Sequence, residues 1–244
     1  MELTAVVEVL GRIRYSPLTS PEGGAKLYEF VRRSGVDDVL ELGFAHGTSS
    51  CYLAAALHEG GNGLVTAIDR TDAIKRDPNI HELLALTGLG DFVRPIFAER
   101  SYTWELMKII EAQSRHGVTQ PCFDFCFIDG GHTWNDDGFA FFLVDKLLRP
   151  GGWILFDDLH WRYADSPTMK DDASVRSLPE EEKATPQMMK VFSLLVFQHP
   201  GYSHHRVRQG WGWAWKKTAQ NEEPPAADII DSLHATPVEG IRRG

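Results

Sequence analysis

The sequence predicts an α/β fold with a doubly wound, mostly parallel β-sheet of seven strands, closed by an antiparallel strand pair near the C-terminal end. Five short apolar runs alternate with segments of helix length between residues 20 and 158, which is the pattern of parallel strands joined by crossover helices. These runs show little polar alternation, as expected for strands covered on both faces. Two further strand-like runs, separated by Gly210, follow a predicted helix and supply the antiparallel pair.

The predicted elements follow one another in a regular order. Ser20 and Pro21 mark the start of a helix before the first strand, because Ser caps a helix N-terminus and Pro suits its first position. The predicted strands are 38–42, 64–69, 92–97, 123–129, 152–158, 204–209 and 211–217, and the predicted helices between them lie near 48–58, 79–87, 101–115, 135–148 and 187–198.

We expect residues 1–218 to form a single domain, because a chain of 244 residues suits one α/β domain with extensions. Residues 159–186 are polar and indicate a lid or an acceptor loop, since loops of this length are usually functional or mobile. Residues 219–244 contain paired prolines and scattered charge, which predicts a flexible C-terminal tail or a segment that packs on a partner.

Composition narrows the classes of partner. Lys and Arg total 25 against 34 Asp and Glu, a net charge of −9 that disfavours binding to nucleic acid. There is no apolar run of the roughly 18 residues that a membrane span requires, and the N-terminal stretch lacks the features of a signal peptide, so we expect a cytoplasmic protein without membrane contact. Cys51, Cys122 and Cys126 suit reduced, structural thiols. A homodimer or higher homo-oligomer stays open, because the alternating Trp211, Trp213 and Trp215 suit either a core or a dimer contact.

A glycine turn connects the first strand to the next helix. In Glu41-Leu42-Gly43 through Gly47-Thr48-Ser49, a buried strand runs into a turn that opens a helix, a site where open α/β sheets bind ligands. The spacing differs from the dinucleotide pattern G-x-G-x-x-G, which favours a cofactor without phosphates. Asp69 ends the second strand, where an acid can take ribose hydroxyls. The simpler alternative is a tight turn, with Asp69 capping the next helix.

With these residues the sequence resembles a known family. ELGFAHGTSS followed by VTAIDR is similar to the Rossmann-like cofactor half of class I S-adenosylmethionine-dependent methyltransferases, in particular the catechol and caffeoyl-CoA O-methyltransferase branch, over roughly residues 19–217. The resemblance implies five cofactor-binding residues: Glu41, Gly43, Gly47, Ser49 and Asp69. The first two would line S-adenosylmethionine, the next two would lie near its methionine part, and the last would bind its ribose.

Acidic residues follow the fourth and fifth strands. Asp129 ends one strand and Asp157-Asp158 end the other, so the three carboxylates are expected to converge at the same edge of the sheet. Carboxylates so close repel one another unless a cation lies among them, and Mg²⁺ or another divalent cation with oxygen ligands fits this need. His132 follows Asp129 by three residues and suits a base of near-neutral pKa.

These elements also resemble those of metal-dependent O-methyltransferases, including enzymes that act on sugars in natural-product pathways. The resemblance implies Asp129, Asp157 and Asp158 as metal ligands and His132 as the base, with Asp129 and His132 forming the catalytic pair. The alternative for the acids is a metal-free site in which they cap loops, and His132 then serves as a hydrogen-bonded turn residue.

The expected activity is therefore divalent-metal-assisted O-methylation of a hydroxylated small molecule, such as a sugar diol or a catechol-like phenol. A metal-independent methyltransferase, a nicotinamide-dependent oxidoreductase and a non-catalytic cofactor-binding module stay as alternatives. His160, Trp161 and Tyr163 are expected either to border the acceptor pocket or to form a packed aromatic cluster. The sequence does not specify the acceptor.

Overall fold

The structure is a computed structural model in which residues 1–167, 169–219, 224 and 226–235 are described. The α-helices are α1 (Leu3–Gly11), α2 (Pro21–Ser34), α3 (Thr48–Gly60), α4 (Ile80–Thr87), α5 (Tyr102–Gln113), α6 (Trp134–Leu147), α7 (Ala173–Arg176), α8 (Glu180–Ala184), α9 (Gln187–Lys190) and α10 (Ala227–Ala235). A π-helical segment, Val191–Val196, continues α9, and single 3₁₀ turns span Thr71–Lys75, Gly90–Phe92 and Tyr163–Asp165.

The strands are β1 (Asp38–Leu42), β2 (Leu64–Arg70), β3 (Val93–Ala98), β4 (Ser114–Arg115), β5 (Val118–Thr119), β6 (Phe123–Ile128), β7 (Leu148–Phe156), β8 (Tyr202–Arg208) and β9 (Trp211–Lys216). Seven of them form one sheet in the order β3-β2-β1-β6-β7-β9-β8. The neighbours from β3 to β7 are parallel, and the pairs β7–β9 and β9–β8 are antiparallel. This topology confirms the predicted fold. The short β4–β5 hairpin is absent from the prediction because two-residue strands leave no periodic signal.

Helices cover both faces of the sheet. One core cluster joins α2, α3 and α10 to Phe125, Trp153 and the tryptophans of β9, and a second joins α5, α6 and α9 to the opposite face. Trp211, Trp213 and Trp215 all belong to the first cluster, and the Trp213 ring lies 4.7 Å from that of Phe30. Within the described chain the tryptophans therefore form core, the first of their two predicted roles.

Capping residues set where helices begin at the carboxyl edge of the sheet. Ser101 caps α5, and Thr133 caps α6 by accepting a hydrogen bond from the Asp136 amide at 3.1 Å. Ser20 caps α2 as predicted, with its hydroxyl 3.0 Å from the Gly23 amide. These caps fix the loops that follow β3 and β6, and so the side chains that those loops carry.

The structure differs from the prediction for the tail at residues 219–244. Residues Ala227–Ala235 form α10, which packs against α2 and buries Ile229, Ile230 and Leu233. The spacing of these apolar residues matches one face of a helix. The sequence did not predict this helix because charged residues and prolines surround it. The rest of the predicted tail, residues 220–223, 225 and 236–244, lies outside the described residues.

Two other segments contain helices that the sequence does not predict. The N-terminal residues form α1, which buries Val6 and Leu10 against the first core cluster. The polar stretch 159–186 contains three short helical turns and anchors itself through the buried Tyr163 and Val175. No helix in the described part of the chain is long and apolar enough to cross a membrane.

Candidate active site

A cavity of about 550 Å³ opens at the carboxyl ends of the parallel strands. The glycine turn after β1 and Asp69 of β2 form one side, and the residues that follow β6 and β7 form another. Segments from the 159–186 stretch, including Trp161 and Tyr163, close the outer wall. The glycine turn and the acidic residues that follow β6 and β7 therefore share one cavity, as the topology of the sheet predicts.

The glycine turn adopts a conformation that requires glycine. Gly43 and Gly47 have φ angles of +88° and +93°, a region that L side chains rarely adopt. A Cβ atom on Gly43 would also overlap the backbone carbonyl of Asp129. Gly43 thus lets the β1 turn lie directly against the end of β6.

Asp69 holds this turn in place. Its Oδ2 accepts hydrogen bonds from the amides of Phe44 at 3.0 Å and Ala45 at 2.6 Å, and its Oδ1 accepts one from the Arg70 amide at 2.6 Å. Asp69 also lines the cavity. Ribose binding, the first role predicted for Asp69, stays a prediction. Its carboxylate secures the turn that precedes α3, and the alternative role of capping the next helix is not seen, because the turn Thr71–Lys75 has no side-chain cap.

Glu41 lies beneath the turn with no solvent exposure. The Ser50 hydroxyl donates a hydrogen bond to its Oε2, and its Oε1 has no partner in the described structure. Burial is the main reason that the pKa of Glu41 rises to about 7. Of the five predicted cofactor residues, Gly43, Ser49 and Asp69 line the cavity, whereas Glu41 and Gly47 lie behind its wall.

The predicted acidic residues and the histidine converge on one side of the cavity. The His132 Nε2 atom lies 3.8 Å from Asp129 Oδ1 and 3.4 Å from Asp158 Oδ2. One potential ligand atom from each of these three residues falls within 4.8 Å of the others. Asp157 lines the same cavity, and its Oδ1 accepts a hydrogen bond from the Asp158 amide at 2.6 Å. We call Asp129, His132, Asp157 and Asp158 the acidic cluster.

The electrostatics of the acidic cluster favour a cation. Burial, together with the charges of Asp157 and Asp158, raises the pKa of Asp129 well above its ordinary value. Burial and the neighbouring Asp158 raise the pKa of Asp157 to about 7. Oxygen-rich carboxylates with raised pKa values are a donor set that fits a divalent cation, because its charge would remove the repulsion.

Three residues at the cavity adopt positive φ angles without being glycine: Ala45 (+50°), His132 (+56°) and Asp158 (+52°). This left-handed conformation costs on the order of 1–3 kcal/mol for a residue with a side chain and is concentrated at functional sites. Two of the three belong to the acidic cluster, so the backbone is strained where it aims these side chains into the cavity.

Asp137 is a residue of this region whose role the sequence did not indicate. It is fully buried, accepts a hydrogen bond from the Tyr102 hydroxyl and accepts another from the Thr133 amide at 2.7 Å. These bonds tie α5, α6 and the loop that carries His132 together. An acid in the first turn of a helix is usually explained by the helix dipole, so the sequence gives no sign of this tertiary contact.

Residues 40–159 match the family model described as a methyltransferase domain. The chain carries a methyltransferase domain. The match contains every predicted cofactor, metal and catalytic residue, from Glu41 to Asp158, and it confirms the predicted class of enzyme. No curated protein matches the chain at significant similarity.

Solved structures share the fold of this methyltransferase. A putative O-methyltransferase from Klebsiella pneumoniae is 20% identical, with a TM-score of 0.60 over 88% of this chain and 90% of the other. An O-methyltransferase from Streptomyces achromogenes involved in tomaymycin synthesis, solved with S-adenosylmethionine, is 19% identical, with a TM-score of 0.57 over 88% of each chain. A putative caffeoyl-CoA O-methyltransferase from Staphylococcus aureus is 19% identical, with a TM-score of 0.60 over 88% of this chain and 93% of the other.

The outer wall of the methyltransferase cavity is aromatic and lies outside the matched residues. The rings of Trp161 and Tyr163 are 4.7 Å apart in an edge-to-face arrangement, and the Trp161 ring lies 5.2 Å from that of His132. Met169 lines the same wall, whereas His160 does not line the cavity. The wall therefore presents flat apolar surface beside the acidic cluster.

Proposed function

We propose that the protein is an S-adenosylmethionine-dependent O-methyltransferase that uses a divalent cation to methylate a hydroxyl group of a small molecule. One observation carries this proposal: the acidic cluster and the glycine turn open into the same cavity, with His132 Nε2 within 4 Å of carboxylate oxygens from Asp129 and Asp158. Methyl transfer needs this pairing, because the acceptor oxygen must be held in line with the methyl group and must lose its proton.

The cofactor side supports S-adenosylmethionine. Gly43, Ser49 and Asp69 offer a close backbone approach, a hydroxyl and a carboxylate along one wall, with no glycine pattern for a pyrophosphate. The Streptomyces achromogenes enzyme was solved with S-adenosylmethionine, and an O-methyltransferase from Bacillus cereus with the same fold was solved with S-adenosylhomocysteine. We expect the ribose hydroxyls beside Asp69 and the sulfonium group beside Gly43.

On the acceptor side, Asp129, Asp157 and Asp158 supply the oxygen ligands that Mg²⁺ prefers. A bound divalent cation would lower the pKa of the acceptor hydroxyl and fix its oxygen. His132 then accepts the proton at Nε2, the atom that faces Asp129 and Asp158. A softer cation would favour His132 as a nitrogen ligand instead, so the choice of metal and the role of this histidine are linked.

The shape of the cavity favours an acceptor with two neighbouring oxygens on a ring. Two such oxygens can bind one cation together, and the aromatic wall of Trp161 and Tyr163 can pack against a ring face. Both a sugar diol and a catechol-like phenol meet these requirements. The acceptor class is thus a vicinally oxygenated ring.

The proposal is tested with S-adenosylmethionine labelled in its methyl group and a panel of sugar diols and catechols. We expect mass spectrometry to show a gain of one labelled methyl, loss of this activity with a chelator and recovery with Mg²⁺. As a control, Asp165→Asn removes an exposed acid that pairs with Arg162 outside the acidic cluster and should leave activity unchanged.

Two results would contradict parts of the proposal. Unchanged activity in chelator would leave a metal-independent methyltransferase, in which the acids orient the acceptor directly. Tight binding of the cofactor with no methyl transfer to any acceptor would favour a non-catalytic binding module.

A further inference from the structure

Trp211 and Asp157 lie next to the last residue pair between β7 and β9. The antiparallel register ends with Phe156 opposite Gly212, and Asp157 and Trp211 are the next residues of the two chain segments beyond that pair. Burial has the largest effect on the pKa of Asp157 and raises it, whereas interaction with the Trp211 side chain lowers it.

The other tryptophans of this core use their N–H groups differently. Trp215 donates a hydrogen bond to the carbonyl of Gly151 at 2.9 Å, and the buried N–H groups of Trp153 and Trp213 have no partner in the described structure. Trp211 is thus the member of this group whose side chain interacts with an acid that lines the cavity. The Asp157 carboxylate also accepts the Asp158 amide through Oδ1, so Trp211 and this amide act on the same carboxylate.

Packing holds the Trp211 ring in one position. The side chain is 7% exposed, and its ring lies 5.9 Å from the ring of Trp213 and 5.8 Å from that of His234 on α10. Asp231 of the same helix forms ion pairs with Arg206 at 3.6 Å and Arg208 at 3.3 Å. Helix α10 is therefore fastened to β8 and closes over the tryptophan that contacts Asp157.

We propose that Trp211 is a positioning residue that orients the Asp157 carboxylate for the acidic cluster, with helix α10 locking the indole in place. This inference rests on the proposed role of Asp157 in binding a divalent cation. Partners that orient metal ligands typically affect metal affinity by about tenfold to a hundredfold when they are removed. The C-terminal segment thus contributes to the active site without touching substrate.

The test compares Trp211→Phe with Trp213→Phe, using Mn²⁺ as the probe. Both variants remove one indole from the same face of the same strand, but only the first removes the indole N–H that interacts with Asp157. We expect Trp211→Phe to weaken Mn²⁺ binding by about tenfold or more, measured by electron paramagnetic resonance, and Trp213→Phe to stay within about twofold of the wild type. Thermal unfolding of both variants verifies that they fold.

Equal Mn²⁺ affinities for the two variants would overturn the inference, whether both were weakened or both were unchanged. If the wild-type protein bound no Mn²⁺, the proposed metal-assisted function would fail. Crystal structures of the two variants decide the positioning role in either case. Asp157 should turn away in Trp211→Phe and keep its orientation in Trp213→Phe, and an unmoved Asp157 in both would overturn the inference.

Discussion

His132 is the side chain on which the proposed proton transfer depends. Its Nε2 atom faces two carboxylates of the acidic cluster, its Nδ1 atom is buried without a partner in the described structure, and its backbone is in the left-handed region. The sequence predicted the residue type and its distance along the chain from Asp129. It could not predict that His132 contacts Asp158, because that contact depends on how two loops turn after their strands.

Replacing His132 with Gln tests whether His132 is the base that accepts the proton of the acceptor hydroxyl. The amide keeps a polar group of similar size but cannot accept a proton near neutral pH, so kcat should fall by about 10²- to 10⁴-fold. Binding of S-adenosylhomocysteine, measured by calorimetry, should stay unchanged. His116→Gln, an exposed histidine in the β4–β5 turn, is the matched control, and an equal kcat in both variants would exclude His132 as the base.

Replacing Gly43 with Ala tests the close approach of the glycine turn. The new Cβ would be strained by the positive φ angle and would overlap the Asp129 carbonyl. We expect a loss of more than about 2 kcal/mol in the free energy of unfolding, together with loss of cofactor binding. Gly35→Ala lies at φ +71° with open space around it, so it measures the effect of the positive φ angle without steric overlap. It should lower the free energy of unfolding by about 1 kcal/mol. Equal losses in denaturant titrations would contradict the steric account.

Among the elements, the β1–α3 unit was the easiest to predict, except for the position of Glu41. Its strand, turn and helix follow from a buried run, two glycines and a helix of small residues. The complete burial of Glu41 did not follow, because an acid at a strand end usually faces the ligand. The structure instead places it under the turn, where it accepts a hydrogen bond from Ser50 of α3.

This burial makes stability depend on pH in a defined direction. Because folding raises the pKa of Glu41 from 4.5 to about 7, the protonated form is favoured in the folded state. Its contribution is complete below about pH 4.5 and is lost as pH rises through 7, which amounts to about 3 kcal/mol.

The prediction is tested by urea unfolding of the ligand-free protein. Between pH 4.5 and pH 8, wild type should lose about 3 kcal/mol more in free energy of unfolding than Glu41→Gln does. An exposed-site control, Glu111→Gln, should follow the wild type. If the free energy of unfolding changed with pH by the same amount in wild type and Glu41→Gln, Glu41 would not titrate in this range.

Helices α1 and α10 show why other elements escape prediction from sequence. Each has nine residues, and the apolar face of each is complete only against the first core cluster. Isolated helices of this length are marginal, so their formation depends on tertiary packing that sequence alone does not reveal. The same dependence hides the link between α10 and Trp211.

At the scale of the whole molecule, the order of the strands brings the site together. β1, β6 and β7 are neighbours in the sheet although about 80 residues separate β1 from β6 in the chain, and their carboxyl ends deliver Gly43, Asp129 and Asp157 to one cavity. The alternation of strands and helices was sufficient to predict this convergence. The aromatic wall of the cavity was not predictable in detail, because it comes from the irregular stretch after β7.

The most direct measurement is a crystal structure of the protein with S-adenosylhomocysteine and Mg²⁺. We expect the adenosyl group beside Gly43 and Asp69, and an ion about 2.1 Å from carboxylate oxygens of Asp129, Asp157 and Asp158, with His132 close by but unligated. A cofactor bound elsewhere, or an acidic cluster that holds only water at saturating Mg²⁺, would contradict this expectation.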